Sequence, residues 1–504
     1  MSATGDDASD KIEKQHITHL DVGVDDASST QLNEVDKKKL MRRIDFAIVP
    51  WLSFLYLLSF LDRAGIANAR LYGMEEDLNI SDTRYLLCLS LFFVPYCLFE
   101  VPSNICMKIT RPSVWLSSIV TCWGIVTVCQ GLVKNFGGLL VIRLLLGTFE
   151  AGLSPGAMYY MSCWYRRDEL GLRIAIFTSS MTTAGAFGGL LAAAISNMDG
   201  VGGKPAWAWI FILEGLVTVI AGIASYFIIQ DYPSTARVLS EKEREFVIQR
   251  LRVDDQFSVS GEKLRWKNVH ASLSDWKTWL TAISGLGTGA PIYALSFFLP
   301  SIVSMLGYKA TRANLLTVPV YATASVIAVI IGYAADRMKK RGYFAIALCV
   351  LTCVGFAILI AARDKALAYF AIYIAAIGVF PGAPNTLSWM ANNIEGSLKR
   401  SVSMAIVLTT NNLMGIISTN TYRANDAPWY RRGHCVILGI AFLSLLAATA
   451  LHILLGAENA RRDRGERDEV IAGKGGNPVN GCYESLEAVK REKGDEWSGF
   501  RYII

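Results

Sequence analysis

Residues 46–69 read FAIVPWLSFLYLLSFLDRAGIANA, and residues 136–160 read FGGLLVIRLLLGTFEAGLSPGAMYY. Each run is long enough to cross about 30 Å of hydrocarbon as a helix. Each also carries two charges: Asp62 beside Arg63, and Arg143 with Glu150. One charge at a bilayer centre costs roughly 2.5–3.5 kcal/mol even on insertion scales. These four must therefore face one another or a wet cavity. The i, i+4, i+7 spacing of Arg143, Gly147 and Glu150 sets them on one helix face. Two carboxyls and two guanidiniums in a wet cavity suit the movement of a proton with an organic anion.

The rest of the chain has the same character. Of its 504 residues 52% are hydrophobic and 18% charged, with a mean hydropathy of +0.35. Soluble domains carry about 25% charge. Spans are predicted near residues 45–69, 86–108, 113–132, 136–161, 172–196, 207–230, 277–304, 314–335, 343–362, 367–390, 400–422 and 434–456. That makes an all-α polytopic membrane protein, with six spans, a connector and six more, as in a duplicated half. The predicted division is a disordered tail over 1–44, a six-helix bundle over 45–231 and a connector over 232–275. A second bundle follows over 276–456, then a tail over 457–504, also expected to be disordered from its polar, charged composition. Within the connector, SEKEREFVIQRLRVDD (240–255) spaces its charges at helical intervals.

Lys and Arg are unevenly shared between the two sets of loops. One set holds Lys37 to Lys39, Arg42 and Arg43; Lys108 and Arg111; Arg166, Arg167 and Arg173; Arg337, Lys339, Lys340 and Arg341; Lys399 and Arg400. The other holds Lys134 and Lys204. The bias places both termini and the connector in the cytosol, which suits a multi-pass plasma-membrane protein. These clusters account for the net charge of +6, so a nucleic-acid partner is not expected. The sequon Asn79-Ile80-Ser81 falls in the first outer loop, a candidate glycosylation site. Residues 1–40 lack the apolar core of a cleavable signal, so the first span is expected to direct insertion. Ten cysteines without paired CxxC spacing imply neither a metal site nor a disulfide framework. No nucleophile–base constellation or phosphate loop suggests an enzyme, and no cofactor is expected beyond the proton.

A short turn between the eighth and ninth spans reads GYAADRMKKR (332–341). Gly332 permits close helix approach, while Asp336 can pair with Arg337 or Arg341 to lock one face of the bundle. This resembles the G-x-x-x-D-R-x-x-x-R signature of the major facilitator superfamily. The equivalent first-half turn, NICMKITRP (104–112), has no Asp, which leaves Glu100 as its expected acidic gating partner. The stretches LDRAGIANA (61–69), RLLLGTFEAGLSPG (143–156) and WYRRDELGLR (164–173) are similar to the anion:cation symporter family. So are Trp389, Asn392, Asn393, Gly396, Lys399, Arg400, Asn412 and Gly415. Over residues 45–456 the likeness is to the fungal allantoate permease branch, with its nicotinate, pantothenate and biotin transporters. The resemblance implies two six-helix halves working by alternating access. It assigns proton uptake to Asp62 and Glu150, and positive charge for the anion to Arg63 and Arg143.

In the second half Tyr293, Phe297, Phe298, Asn385, Ser388, Trp389 and Asn412 are candidate cavity residues. Aromatics in a span more often pack than bind. Pro291, Pro300, Pro381 and Pro384 interrupt helix hydrogen bonding and can line a cavity. Gly185 and Gly189 are spaced for close helix packing. Glu214 is expected to gate or to support the sixth span. The reading is a monomeric, proton-coupled importer of a small carboxylate nutrient or vitamin. By resemblance a nicotinate-like acid comes first, pantothenate or allantoate next. Export of drugs or secondary metabolites and a non-transporting nutrient sensor stay open as alternatives.

Overall fold

The computed structural model describes residues 34–253 and 266–504, apart from 396, 428 and 474. Twelve helical segments are long and apolar enough to cross a membrane. In order the spans are Glu34–Leu71, Asp82–Ile109, Pro112–Gln130, Phe136–Glu150 continued by Leu153–Ser162, Arg167–Ile195 and Ala206–Ile228. The second six are Trp276–Met305, Ala310–Met338, Arg341–Ala361, Lys365–Asn393, Ser397–Thr421 and Arg431–Asp463. They are called the first to twelfth spans below.

Local chemistry sets several starts. Asn135 accepts from Gly138 N at 2.8 Å to cap the fourth span, and Asp275 accepts from Lys277 N at 3.0 Å to cap the seventh. Asp364 accepts from Ala366 N and Leu367 N at the tenth, and Pro112 opens the third with its pre-set φ. Only Thr110 and Arg111 separate the second and third spans, which forces them antiparallel. Small residues let backbones touch where lipid gives no hydrophobic drive. A Cβ on Gly124 would meet Val219 N at 2.7 Å, and one on Gly215 would meet Val128 N at 2.6 Å. The third and sixth spans therefore interlock along much of their length.

One face of the bundle gathers residue 34, the connector and the last forty residues; it is called the terminal face here, and the opposite one the far face. Of the N-terminal stretch expected to be disordered, residues 1–33 lie outside the described residues. Residues 34–44 instead extend the first span as helix. In the connector, the helix Glu241–Val253 docks on that extension through Arg43–Glu243, and on the fifth span through Arg250–Glu169. A second short helix, Trp266–Ser274, leads into the seventh span.

The C-terminal stretch is folded, not disordered. The twelfth span runs on to Asp463. Beyond it, Val470–Ile471 pairs in parallel with Cys482–Tyr483, and a helix forms over Leu486–Lys493. The chain then lies against the terminal ends of the second half. Ile503 O accepts from Trp389 Nε1 at 2.8 Å and from Asn393 Nδ2 at 2.9 Å, and Ile503 N donates to Asn393 Oδ1 at 2.7 Å. The Asn459 side-chain amide donates to Tyr502 O and accepts from Tyr502 N, both at 2.9 Å, and Arg462 donates to Phe500 O and Asp495 O.

The halves meet closely towards the far face. The close packing expected at Gly185 and Gly189 is found against the eighth span: a Cβ would meet the Tyr321 ring at 2.6 Å and Asn314 O at 2.6 Å. Asn314 Nδ2 donates to Tyr72 Oη at 3.3 Å. Between the second and eleventh spans, Ser90 and Thr419 share a 2.8 Å hydrogen bond, and Asn420 donates to Ser90. Phe93 fills the space beside Gly415.

Candidate substrate cavity

Asp62 and Arg63 are neighbours in sequence but point about 100° apart around the first span. Arg63 shares its side of the helix with Ser59, one turn earlier. Both reach Glu150 on the fourth span: Ser59 Oγ at 2.5 Å, Arg63 Nε at 3.1 Å and Arg63 Nη2 at 2.5 Å, all to Oε1. Arg63 Nη1 donates to Tyr293 Oη at 3.1 Å, and Tyr293 donates on to Asn412 Oδ1 at 2.7 Å. One unbroken chain of hydrogen bonds thus runs from the fourth span through the first to the seventh and eleventh, crossing between the halves. The guanidinium is surrounded by the rings of Phe60, Phe92, Tyr96 and Tyr293, with centroids 4.8 to 5.9 Å away. That packing holds a cation by ring quadrupoles and shields all but its cavity side from water.

Arg63 and Tyr293 form part of the wall of a central cavity between the halves. The first half also contributes Tyr56, Tyr96 and Glu100, and the second Asn411 and Asn412. Its volume is about 70 Å3 counted over water centres, room for roughly five waters. Glu150 sits behind Arg63, fully buried.

Other expected residues fall elsewhere. Asp62 faces the interior of the first half, where Trp123 Nε1 donates to Oδ2 at 2.6 Å and Thr218 Oγ1 at 3.2 Å. Arg143 was a candidate for substrate contact, but it does not line the cavity. Its helix face packs on the second span, with the Phe92 carbonyl against Gly147, and two turns separate Arg143 from Glu150. Asn385 and Trp389, expected in the cavity, lie on the other side of the tenth span. Ala383, Pro384 and Leu387 are the residues turned to the cavity. Asn385 instead donates to Arg341 O at 3.1 Å, and Trp389 is covered by the C-terminal segment. Phe297 is packed one turn from Tyr293, with its ring 6.0 Å from that of Tyr293 and 6.2 Å from Phe93.

Glu100 is also displaced from its expected role. It accepts from Thr409 Oγ1 at 3.2 Å in the cavity wall, and makes no ion pair with Arg111 of the following turn among the described residues. At the 332–341 turn, Asp336 pairs with Arg341, while exposed Arg337 reaches, among the described residues, Tyr333 Oη at 3.4 Å. Close approach at Gly332 is absent here, since nothing stands within 4 Å of a Cβ built there. With the halves joined at the far face, this turn makes no contact across them through that glycine. Asn79 is exposed in the turn between the first two spans, with φ of 52°. Tyr96 and Asn411 were missed in the sequence; Asn411 stood beside Asn412, and Tyr96 one turn before Glu100.

Two helical halves around a buried, charged cavity are the architecture of a membrane transporter. The chain belongs to the Major Facilitator Superfamily, whose family model matches residues 52–419. It is 36% identical over 439 residues to the MFS-type transporter cnsO of Penicillium expansum, covering 84% of this chain and 85% of that protein. To an uncharacterized transporter of Schizosaccharomyces pombe it is 35% identical, covering 89% and 88%. To the high-affinity nicotinic acid transporter of Saccharomyces cerevisiae it is 30% identical, covering 84% and 79%. Its fold is that of a bacterial homolog to the human lysosomal transporter Spinster, solved inward-facing and occupied. There the TM-score is 0.60 at 15% identity, over 80% of this chain and 95% of that one.

Proposed function

We propose that the protein imports a small organic anion together with protons, across the plasma membrane, with the terminal face in the cytosol. The observation that carries this is the position of Arg63. It is a cavity cation held by an acid on one side and by Tyr293 and Asn412 of the other half on the next. A proton on Glu150 removes the charge that holds Arg63. The guanidinium is then free to take a carboxylate bidentately, and Tyr293 and Asn412 contact the rest of the substrate. Substrate charge replaces Glu150 charge, so the cavity stays neutral and the halves can rock. When Glu150 loses its proton to the cytosol, it reclaims Arg63 and expels the anion. Asp62 is the second proton carrier, set behind the cavity. Glu100 adds an acceptor to the wall, which suits the hydroxyl or N–H donors of pantothenate, biotin or allantoate and would meet nicotinate only with its ring nitrogen protonated.

The nicotinic acid transporter among the relatives makes a nicotinate-like acid the first substrate to test. Uptake of radiolabelled nicotinate, pantothenate, biotin and allantoate is to be measured at acid and neutral external pH, with Glu150→Gln alongside. Acid-stimulated uptake of one anion, lost in Glu150→Gln, is the expected result. No uptake of any of them, by protein confirmed at the cell surface, would defeat the importer reading.

A further inference from the structure

Six acidic or basic side chains are buried in the first half, none more than 5% exposed: Asp62, Arg63, Glu100, Arg143, Glu150 and Glu214. Four acids and two bases cannot all be charged and balanced; Glu100 stands apart in the cavity wall, where it accepts from Thr409. What surrounds each acid distinguishes them. Glu150 Oε1 takes three donated hydrogen bonds, from Ser59 and twice from Arg63. Asp62 Oδ2 takes two, from Trp123 and Thr218. Glu214 takes none, for neither of its oxygens has a partner among the described residues. It stands instead against Gly65, whose Cβ would lie 2.9 Å from Glu214 Oε2, with Phe211 and Ile210 alongside. An ionised carboxylate left there would lose its solvation with no donor or cation in return. With Glu214 neutral, and Glu100 set aside in the cavity wall, Arg63 offsets Glu150 and Arg143 offsets Asp62, two charges against two.

We infer that Glu214 is a proton-binding site, and that it exchanges its proton with Asp62. Thr218 stands between them: one turn beyond Glu214 on the sixth span, its one hydroxyl proton is shared between Asp62 Oδ2 at 3.2 Å and the backbone carbonyl of Glu214 at 3.0 Å. Asp62 Oδ1 is buried without a donor and can receive the proton. The exchange balances by itself: Glu214 COOH and Asp62 carboxylate become Glu214 carboxylate and Asp62 COOH. First and sixth spans belong to one half, so the pair keeps its geometry while the halves rock. Glu214 lies about 12 Å along the sixth span from its far-face start at Ala206, and Asp62 about 14 Å from the far-face end of the first span at Leu71. Glu150 is deeper, about 21 Å from Phe136. Protons thus have a reservoir on the far side of the cavity, off the route that the substrate takes.

This use of the proton rests on the proton-coupled reading above, but its presence can be tested without any substrate. Infrared spectra of the purified full chain in lipid vesicles at neutral pH report protonated carboxyls by a C=O band that shifts in heavy water. The band is expected in the wild type and in Glu150→Gln, missing in Glu214→Gln and moved in frequency in Glu214→Asp. A wild type without such a band, or a band unchanged in Glu214→Gln, would overturn the assignment. Loss of the band on adding sodium at fixed pH would hand the site to that cation instead. In the same vesicles, with nicotinate as probe, Glu214→Gln is expected to keep exchange of labelled for unlabelled substrate yet lose accumulation driven by a pH gradient. A wild type that exchanges but never accumulates would refute proton coupling, while the infrared band still decides the proton on Glu214.

Discussion

Replacing Asp495 by Ala is expected to free the C-terminal segment from the bundle. Asp495 is one corner of a square of alternating charges beneath the seventh and eleventh spans. Lys277 Nζ lies 3.1 Å from Asp275 Oδ1 and 2.9 Å from Asp495 Oδ2; Lys399 Nζ lies 2.8 Å from Asp275 Oδ2 and 3.0 Å from Asp495 Oδ1. Two of these contacts, Lys277 to Asp495 and Lys399 to Asp275, are ion pairs without a hydrogen bond's angles, since those oxygens lack bonded partners. The side chain of Asp495 is 1% exposed and that of Lys277 5%. Removing one partner of a buried pair costs roughly 3–5 kcal/mol, because the other charge is left behind. Tenfold corresponds to about 1.36 kcal/mol, so the docked-to-released ratio should fall by about two to four orders of magnitude. The other anchors, the bonds of Ile503 and Tyr502, contribute about 1 kcal/mol each and cannot make up the loss.

Amide hydrogen exchange over residues 494–504 of the purified full chain reads this release directly. Wild-type amides there should be protected, and Asp495→Ala should raise their exchange rates about 100-fold or more, with the spans unaffected. Adding Lys277→Met to Asp495→Ala should restore part of the protection, since it removes the stranded charge. Unchanged exchange over this segment in Asp495→Ala would refute the reasoning. The pH dependence has a definite sign. Burial pushes the Asp275 carboxyl up, but Lys277 and Lys399 outweigh it and leave it below its ordinary 3.8. Its contribution, to the stability of the bundle and not to docking, is therefore present above pH 3.8 and lost on acidification through the lower value. Burial works against the Lys399 charge, and Asp495 and Asp275 outweigh that, so its pKa lies above the ordinary 10.5. Its contribution is complete below pH 10.5 and lost as pH rises past the raised value. Docking should be flat across neutral pH and weaken at the alkaline extreme, as Lys399 loses the charge that Asp495 pairs with.

Three further outcomes are expected. Tyr293→Phe cuts the link from Arg63 to Asn412, and should raise the half-saturating concentration of a transported anion about two- to tenfold, as radiolabel uptake would show. Trp123→Phe leaves Asp62 with one donor, which should cost about 1.5–3 kcal/mol and lower the temperature of half-inactivation in detergent; an unchanged midpoint would contradict the 2.6 Å bond. Gly189→Ala would press a methyl group on Asn314 O, at a cost of about 1–3 kcal/mol to the closed far face. Spin labels on cysteines placed at Asn79 and Lys309 should then show a longer distance population, and an unchanged distribution would mean that this contact does not hold the face shut.

Hydropathy made the spans legible, because a helix across a bilayer needs its apolar residues consecutively. It failed at the two ends for different reasons. Residues 34–44 are too charged to read as span, yet helix continues through them because the connector helix Glu241–Val253 covers one side. The last residues, WSGFRYII (497–504), carry three aromatics and two isoleucines, too apolar for a tail that stays in water. That signal was present, and the charge density of the preceding forty residues hid it.

The charged residues could be found from the sequence but not sorted. A buried ion announces itself by its cost, so Asp62, Arg63, Arg143, Glu150 and Glu214 all stood out from their apolar surroundings. Which of them reaches the cavity depends on directions that spacing along one helix does not supply. Arg143 and Glu150 share a face, but that face meets the second span, and only the end of it comes up behind Arg63. Asn385 and Trp389 look like binding groups on a broken helix, but Pro384 and Leu387 are on the cavity side of that helix and they are not. The residue that joins the halves, Tyr293, was visible as one aromatic among several. Its distinction lies in a hydroxyl that accepts from Arg63 and donates to Asn412, a pairing of three spans from both halves. Substrate binding and the proton on Glu150 therefore act on the same side chain. A change at Arg63 should alter affinity and coupling together, whereas a change at Glu214 should alter coupling alone.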